Sequence, residues 1–178
     1  AEQTVRRAID IQTLLPDADG TGHDAELAES HLVLSACHNG LQQHEDAVES
    51  ALQAVILYTP LARENPDTGL PGLARSLRQV ASMQYALERN DEALKSLEES
   101  FSIYTLLEER GAGDYRPEIG ACLETLSLFQ NGVGRYEDSV RSIVDAVARY
   151  RVLTEENPQA FRPVLTDLLL RLGLRHIT

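Results

Sequence analysis

The residues best placed to do chemistry in this chain are Arg75, Arg78 and Tyr85. They stand at i, i+3 and i+10, which puts them on one face of a helix. Two guanidinium forks one turn apart suit an anionic group on a peptide, and Arg and Tyr are enriched at binding hot spots. The competing reading is a solvated helix face whose arginines pair with carboxylates such as Glu29 or Glu124. His31 and His38 are seven apart and share a face, with Cys37 adjacent to the second. Zinc ligands want i, i+4 or paired-cysteine spacings, so this group is expected to hold no metal. GxSxG, HExxH and phosphate-loop motifs are all missing. The abundant acids fall in first helical turns and on outer faces, where a solvated role is the default. The chain therefore reads as a non-enzyme, with no catalytic residue and no cofactor.

Composition narrows the partners further. The 178 residues carry a net charge of −12, with 43% apolar and 25% charged residues. Such a surface repels phosphate, which argues against nucleic acid and against anionic membranes. Lys95 is the sole lysine among 16 basic residues, a bias that suggests a GC-rich bacterial genome. No apolar run approaches the roughly 20 residues that span a bilayer, and Ala1–Leu15 lacks the apolar centre of a signal peptide. Cys37 and Cys122 occupy different places in their helices and are not expected to meet, so a reducing, cytoplasmic setting fits. The chain begins without Met inside a helical pattern and is expected to be excised from something longer.

The elements that must position these side chains are helices. Apolar periodicity and stop signals predict helices over 1–15, 24–38, 44–63, from Pro71 to Asn90, 91–109, 117–130, 136–155 and 162–173. Pro71 is read as a first-turn proline. Asn39-Gly40 and Asn131-Gly132 are read as helix ends whose glycines supply positive φ. Short loops make sequential helices antiparallel. The pattern repeats at a shift of 46 residues. Asp91-Glu92-Ala93 matches Glu45-Asp46-Ala47 and Glu137-Asp138-Ser139, while Tyr104 matches Tyr58 and Tyr150 and Pro117 matches Pro71 and Pro163. Each unit pairs a first helix, A, with a second, B. Twelve residues before Ala47, Ala93 and Ser139 sit Ser35, Ala81 and Ser127. All six are small, which lets the two axes approach the low end of the usual ~8–10 Å. The recurring tyrosines are expected to cap the core between units, with their hydroxyls at the surface.

These features resemble the tetratricopeptide repeat (TPR) family. Gly134-Arg135-Tyr136-Glu137-Asp138-Ser139 looks like its Gly-x-Tyr-x-x-Ala turn. Ala47, Ala93 and Ser139 match its small second-helix position, and Ala51, Leu97 and Ile143 its bulky position four later. The unit is 46 residues and not 34. His31, Leu77 and Leu123 stand where the family has Trp, and His38, Gln84 and Gln130 where it has Tyr. The long unit is similar to the extended repeats of kinesin light chains and of large multidomain bacterial proteins. The resemblance implies an all-α solenoid of antiparallel helix pairs, a right-handed superhelix of about eight helices. It would form a single array with units at 23–68, 69–114 and 115–160, flanked by partial units at 1–22 and 161–178. It also implies a binding groove lined by A helices, here Glu29, Leu32, Ala36 and Asn39, then Arg75, Arg78, Ser82 and Tyr85, then Ala121, Glu124, Leu128 and Asn131, with Asp167 and Leu170 following. Ser82 stands where the family's carboxylate clamp needs Asn, so that clamp is incomplete. The implied function is a protein-interaction module that takes a peptide or partner domain; the alternative is a sensing array that controls an attached effector. End-to-end homodimers through Leu169, Leu170 and the first helix are a further expectation, because repeat arrays need polar caps.

Overall fold

The computed structural model describes residues 2–14 and 22–175, and among these residues every regular element is a helix. In chain order they are α1 (Glu2–Leu14), α2 (Gly22–Gly40), α3 (His44–Glu64), α4 (Pro66–Ala86), α5 (Asn90–Glu109), α6 (Arg116–Gly132), α7 (Tyr136–Glu156) and α8 (Pro158–Arg175). The chain divides into two compact units, Ala1–Ile103 and Tyr104–Thr178, with the boundary inside α5.

Within the first unit, α2 and α3 pack as an antiparallel hairpin. Ala28 and Leu32 of α2 share a buried cluster with Tyr58 and Ala54 of α3, the order in which opposed axes bring them together. Nearest the turn, the small residues meet as their spacing requires. The Ser35 hydroxyl donates to the Ala47 carbonyl at 2.8 Å. Ala81 and Ala93 are both fully buried. In the second unit the Ser139 hydroxyl donates to the Ser127 carbonyl, and the two hydroxyls lie 3.2 Å apart.

A second contact with the same spacing runs beside the first. His38 Nδ1 lies 3.1 Å from the Ser50 hydroxyl. The Ser96 hydroxyl donates to the Gln84 amide oxygen at 2.9 Å, and the Ser142 hydroxyl to that of Gln130 at 2.8 Å. His38, Gln84, Gln130, Ser50 and Ser142 are buried and Ser96 half-buried. Each buried polar group is therefore satisfied across its hairpin, as the cost of desolvating it demands. His38 is 2% exposed, whereas His31 is half-buried and burial lowers its pKa.

The A-to-B turns share one backbone form. Gln42, Glu88 and Gly134, each 46 residues apart, have φ of 60°, 59° and 78°. The following amides reach back five residues, Gln43 to His38, Arg89 to Gln84 and Arg135 to Gln130, at 2.8–2.9 Å. The left-handed residues themselves donate three residues back, to Asn39, Tyr85 and Asn131. This is the Schellman closure. It corrects the glycine assignment, because Gly40 and Gly132 are the last residues of their helices and the left-handed position falls two residues later.

Two helix starts also differ from the sequence reading. α4 begins at Pro66 and not at Pro71, and α8 at Pro158 and not near residue 162, leaving Pro71 and Pro163 inside their helices. The reason is the Asn-Pro pair at 65–66 and 157–158. Proline at the first helical position needs no N–H partner, and the Asn157 side chain accepts from the Ala160 amide at 3.2 Å. The middle copy has Gly111-Ala112-Gly113 there, with Gly111 at φ +66°, so α6 starts only at Arg116. Its entry is held instead by Arg116, which grips Asp114 and Glu156 with two forked pairs at 2.6–2.8 Å. That hydrogen bonding draws the Asp114 pKa down to about 2.

At the two ends, α1 contributes no buried residue, and Ile11, Leu14, Leu169 and Leu170 are exposed. Cys37 and Cys122 each carry a reduced thiol outside any disulfide.

Left-handed backbone costs a non-glycine residue about 1 kcal/mol. Glu88→Gly is therefore expected to hold or raise the unfolding free energy, and Gly134→Ala to lower it by about 1 kcal/mol in urea titrations. Equal effects of the two changes would contradict the shared turn geometry.

Candidate functional site

In the first unit the A-helix face is built by α2 and α4. Glu29 and Arg75 occupy the same repeat position on the two helices, 46 residues apart, and they form an ion pair. The same carboxylate oxygen accepts the Tyr58 hydroxyl from α3. The Tyr58 ring is 4% exposed, so its hydroxyl is not at the surface but committed to Glu29. Burial first, and then the adjacent carboxylate, push the Tyr58 pKa up to about 12, against the opposing Arg75 charge.

Arg78 follows Arg75 by one turn. It is half-buried, and its buried Nε has no hydrogen-bond partner. Ser82 is half-buried and donates to the Arg78 carbonyl at 3.1 Å, a bond inside α4. Tyr85 lies half-buried in the last turn, and its carbonyl helps close the helix end. Asn39 does the same for α2. Leu32 lies in the core, while Ala36 is exposed. A residue not singled out from sequence also bridges these helices. The Gln79 side-chain amide donates to the Leu32 carbonyl at 3.0 Å.

In the second unit Glu124 pairs with Arg171 of α8, which also binds Asp167. Asn131 and Leu128 are exposed, and the Asn131 carbonyl closes the turn after α6. Arg171 was not singled out either. It lies 92 residues after Gln79, two repeat lengths, and it reaches the residue 92 after Leu32. The signal was available in the sequence: the position after Arg78 carries a long polar side chain in two copies.

The structure therefore brings Arg75 to Glu29 and Ser82 to Arg78, and it gives Glu124 a partner of its own in Arg171. Among the described residues no group of three His, Cys, Asp or Glu side chains is gathered for a metal ion, and no helix is long and apolar enough to cross a membrane.

By sequence, no family model and no curated relative matches the chain. Solved structures do match in fold. BtubC (BKLC) from P. vanneervenii superimposes with a TM-score of 0.79 at 15% identity, over 98% of this chain and 63% of that one. Aspartyl phosphate phosphatase F from Bacillus subtilis gives 0.69 at 18% identity, over 98% and 41%. The Rap conjugation gene regulator of plasmid pLS20, solved in complex with the Phr* peptide, gives 0.59 at 15% identity, over 98% and 48%. This chain thus spans about two fifths to three fifths of these neighbours. They are TPR-like helical-repeat proteins, and the all-α repeat fold is theirs.

The Tyr58 hydroxyl is bonded in its neutral form, so its contribution to stability is complete below pH 10 and lost as pH rises through about 12. A difference titration at 295 nm between the wild type and Tyr58→Phe is expected to show a phenolate midpoint near 12. A midpoint near 10 would remove the Glu29 contact from the account.

Proposed function

We propose that this chain is a protein-interaction module, a long-unit TPR-like array whose A-helix face in the first unit receives an acidic peptide segment. The observation that carries the reading is Arg78. Its half-buried guanidinium has a buried Nε without a partner, one turn from the Arg75–Glu29 pair. A carboxylate entering here would take a charge-assisted bond from Arg78 and compete with Glu29 for Arg75. Exchange of one carboxylate for another at a half-exposed guanidinium involves little net desolvation, so recruitment of Arg75 need not oppose binding. Tyr85, two turns farther along the same helix, offers an aromatic contact. The mode is a preorganised surface with no bond chemistry. Glu29, Asn39 and Ser82 frame or support this face in the reading, and Glu124 and Asn131 hold the matching repeat positions in the second unit.

A second reading has support from one neighbour. The pLS20 regulator of similar fold is a conjugation gene regulator in complex with a peptide. A sensing array that controls an attached effector would use the same face, and this chain covers only part of that neighbour's length.

The test is a selection from a displayed random-peptide library against the purified chain. The selected peptides are expected to be rich in Asp and Glu. Their binding, followed by fluorescence anisotropy, should weaken at least tenfold in the Arg75→Glu, Arg78→Glu double variant, with helicity and melting temperature nearly unchanged. Selected peptides that bind both proteins equally would sink the proposal.

A further inference from the structure

The three B-helix tyrosines are not treated alike by the chain. In the second unit, each stacks on an aromatic supplied eleven residues later. Tyr104 meets Tyr115 at 5.7 Å between ring centroids, and Tyr150 meets Phe161 at 6.0 Å. Both distances are in the range of favourable tilted aromatic pairs. Tyr58 has Gly69 at the matching position. No ring can be supplied from that position, because a Cβ on Gly69 would lie 2.3 Å from the Ala62 backbone nitrogen. The first turns of α4 instead settle onto α3, with Gly72 against the Tyr58 ring.

That settling leaves space beside the ring. A cavity of about 320 Å³ opens between α2, α3 and the start of α4. Ala25, Tyr58, Leu61 and Gly69 give it an apolar wall, and Glu64 is the charged side chain on its lining. The volume is at the small end of ligand sites. It suits one side chain better than a whole cofactor. The wall is the kind of surface that the chain itself covers with an aromatic ring in its other two copies. The acid at the rim favours a cation next to that ring.

We infer that the cavity beside Tyr58 binds an aromatic side chain of a peptide or protein partner, followed by a basic residue directed at Glu64. The inference deepens the peptide-binding reading above and rests on it. Tyr58 links the two places physically, since its ring walls the cavity and its hydroxyl holds Glu29, the partner of Arg75. One bound segment can therefore anchor a ring in the cavity and present an acid to α4.

The probe is N-acetyl-Phe-Arg-amide, titrated into the ¹⁵N-labelled chain and followed by NMR. Saturable shifts are expected at the amides of Ala25, Leu61, Thr68 and Gly69, with low-millimolar affinity. N-acetyl-Leu-Arg-amide should bind about fivefold or more weakly, the size of an aromatic pairing preference. N-acetyl-Phe-Glu-amide should also be weaker, and Glu64→Gln should erase that difference. Thr68→Trp, which places a ring at the mouth, should abolish the shifts, and Ala25→Leu gives a second, milder block; an unchanged melting temperature shows that either variant is folded. No saturable shift at these amides, or equal binding of the Leu and Phe probes, would overturn the inference. The Arg78→Glu protein, which leaves the Tyr58–Glu29–Arg75 contacts in place, separates the two claims, because it should bind the Phe-Arg probe as the wild type does while binding the acidic peptides more weakly.

Discussion

Each hairpin hangs on a pair of contacts between residues twelve apart. One is small against small, at Ser35–Ala47 and Ser127–Ser139, with Ala81 and Ala93 both fully buried at the same spacing. The other is polar against polar, at His38–Ser50, Gln84–Ser96 and Gln130–Ser142. The first sets how near the helices come. The second sets their register, because a slipped helix would leave a buried amide or hydroxyl unpaired at about 1–3 kcal/mol each. Apolar packing alone tolerates sliding, and buried hydrogen bonds do not. With register fixed, the A-helix side chains are held in place, which is what a binding surface without moving parts requires.

Much of this was legible in the sequence because it occurs three times. A lone Ser–Ala pair at twelve residues carries no information, whereas three copies are a packing rule. The same logic would have exposed the polar pair. His38, Gln84 and Gln130 stood out as replacements for an aromatic position, but Ser50, Ser96 and Ser142 did not, because serine in a helix is unremarkable until its partner is seen. The left-handed turn residue was hidden for a different reason. Gly marks it in one copy only, and Gln42 and Glu88 adopt the same φ under the pull of the Schellman hydrogen bonds. The starts of α4 and α8 were displaced because two prolines compete for the role. The Asn-Pro pair wins, as it lies farther upstream, and each helix runs on past its second proline at the loss of one backbone hydrogen bond.

The candidate site was legible as residue types and not as partnerships. Arg75 and Arg78 both sit on α4, but their circumstances differ. Arg75 is already matched by Glu29, the outcome that repeat stacking enforces when equivalent positions carry opposite charges. Arg78 has no such match: its repeat equivalent on α2 is Leu32, whose side chain is in the core and whose carbonyl is taken by Gln79. The difference between one guanidinium that is paired and one that is not arises from a single register position.

Register in each hairpin rests on the twelve-residue polar pair coupling its two helices. A double-mutant cycle on Gln130→Leu and Ser142→Ala, read by urea unfolding, measures this directly. Ser142→Ala alone strands a buried amide and should cost about 1–3 kcal/mol, whereas the double variant removes both polar groups and should cost less than the sum by about 1 kcal/mol or more. Strict additivity, within about 0.3 kcal/mol, would mean that the pair is incidental and that packing alone holds the register.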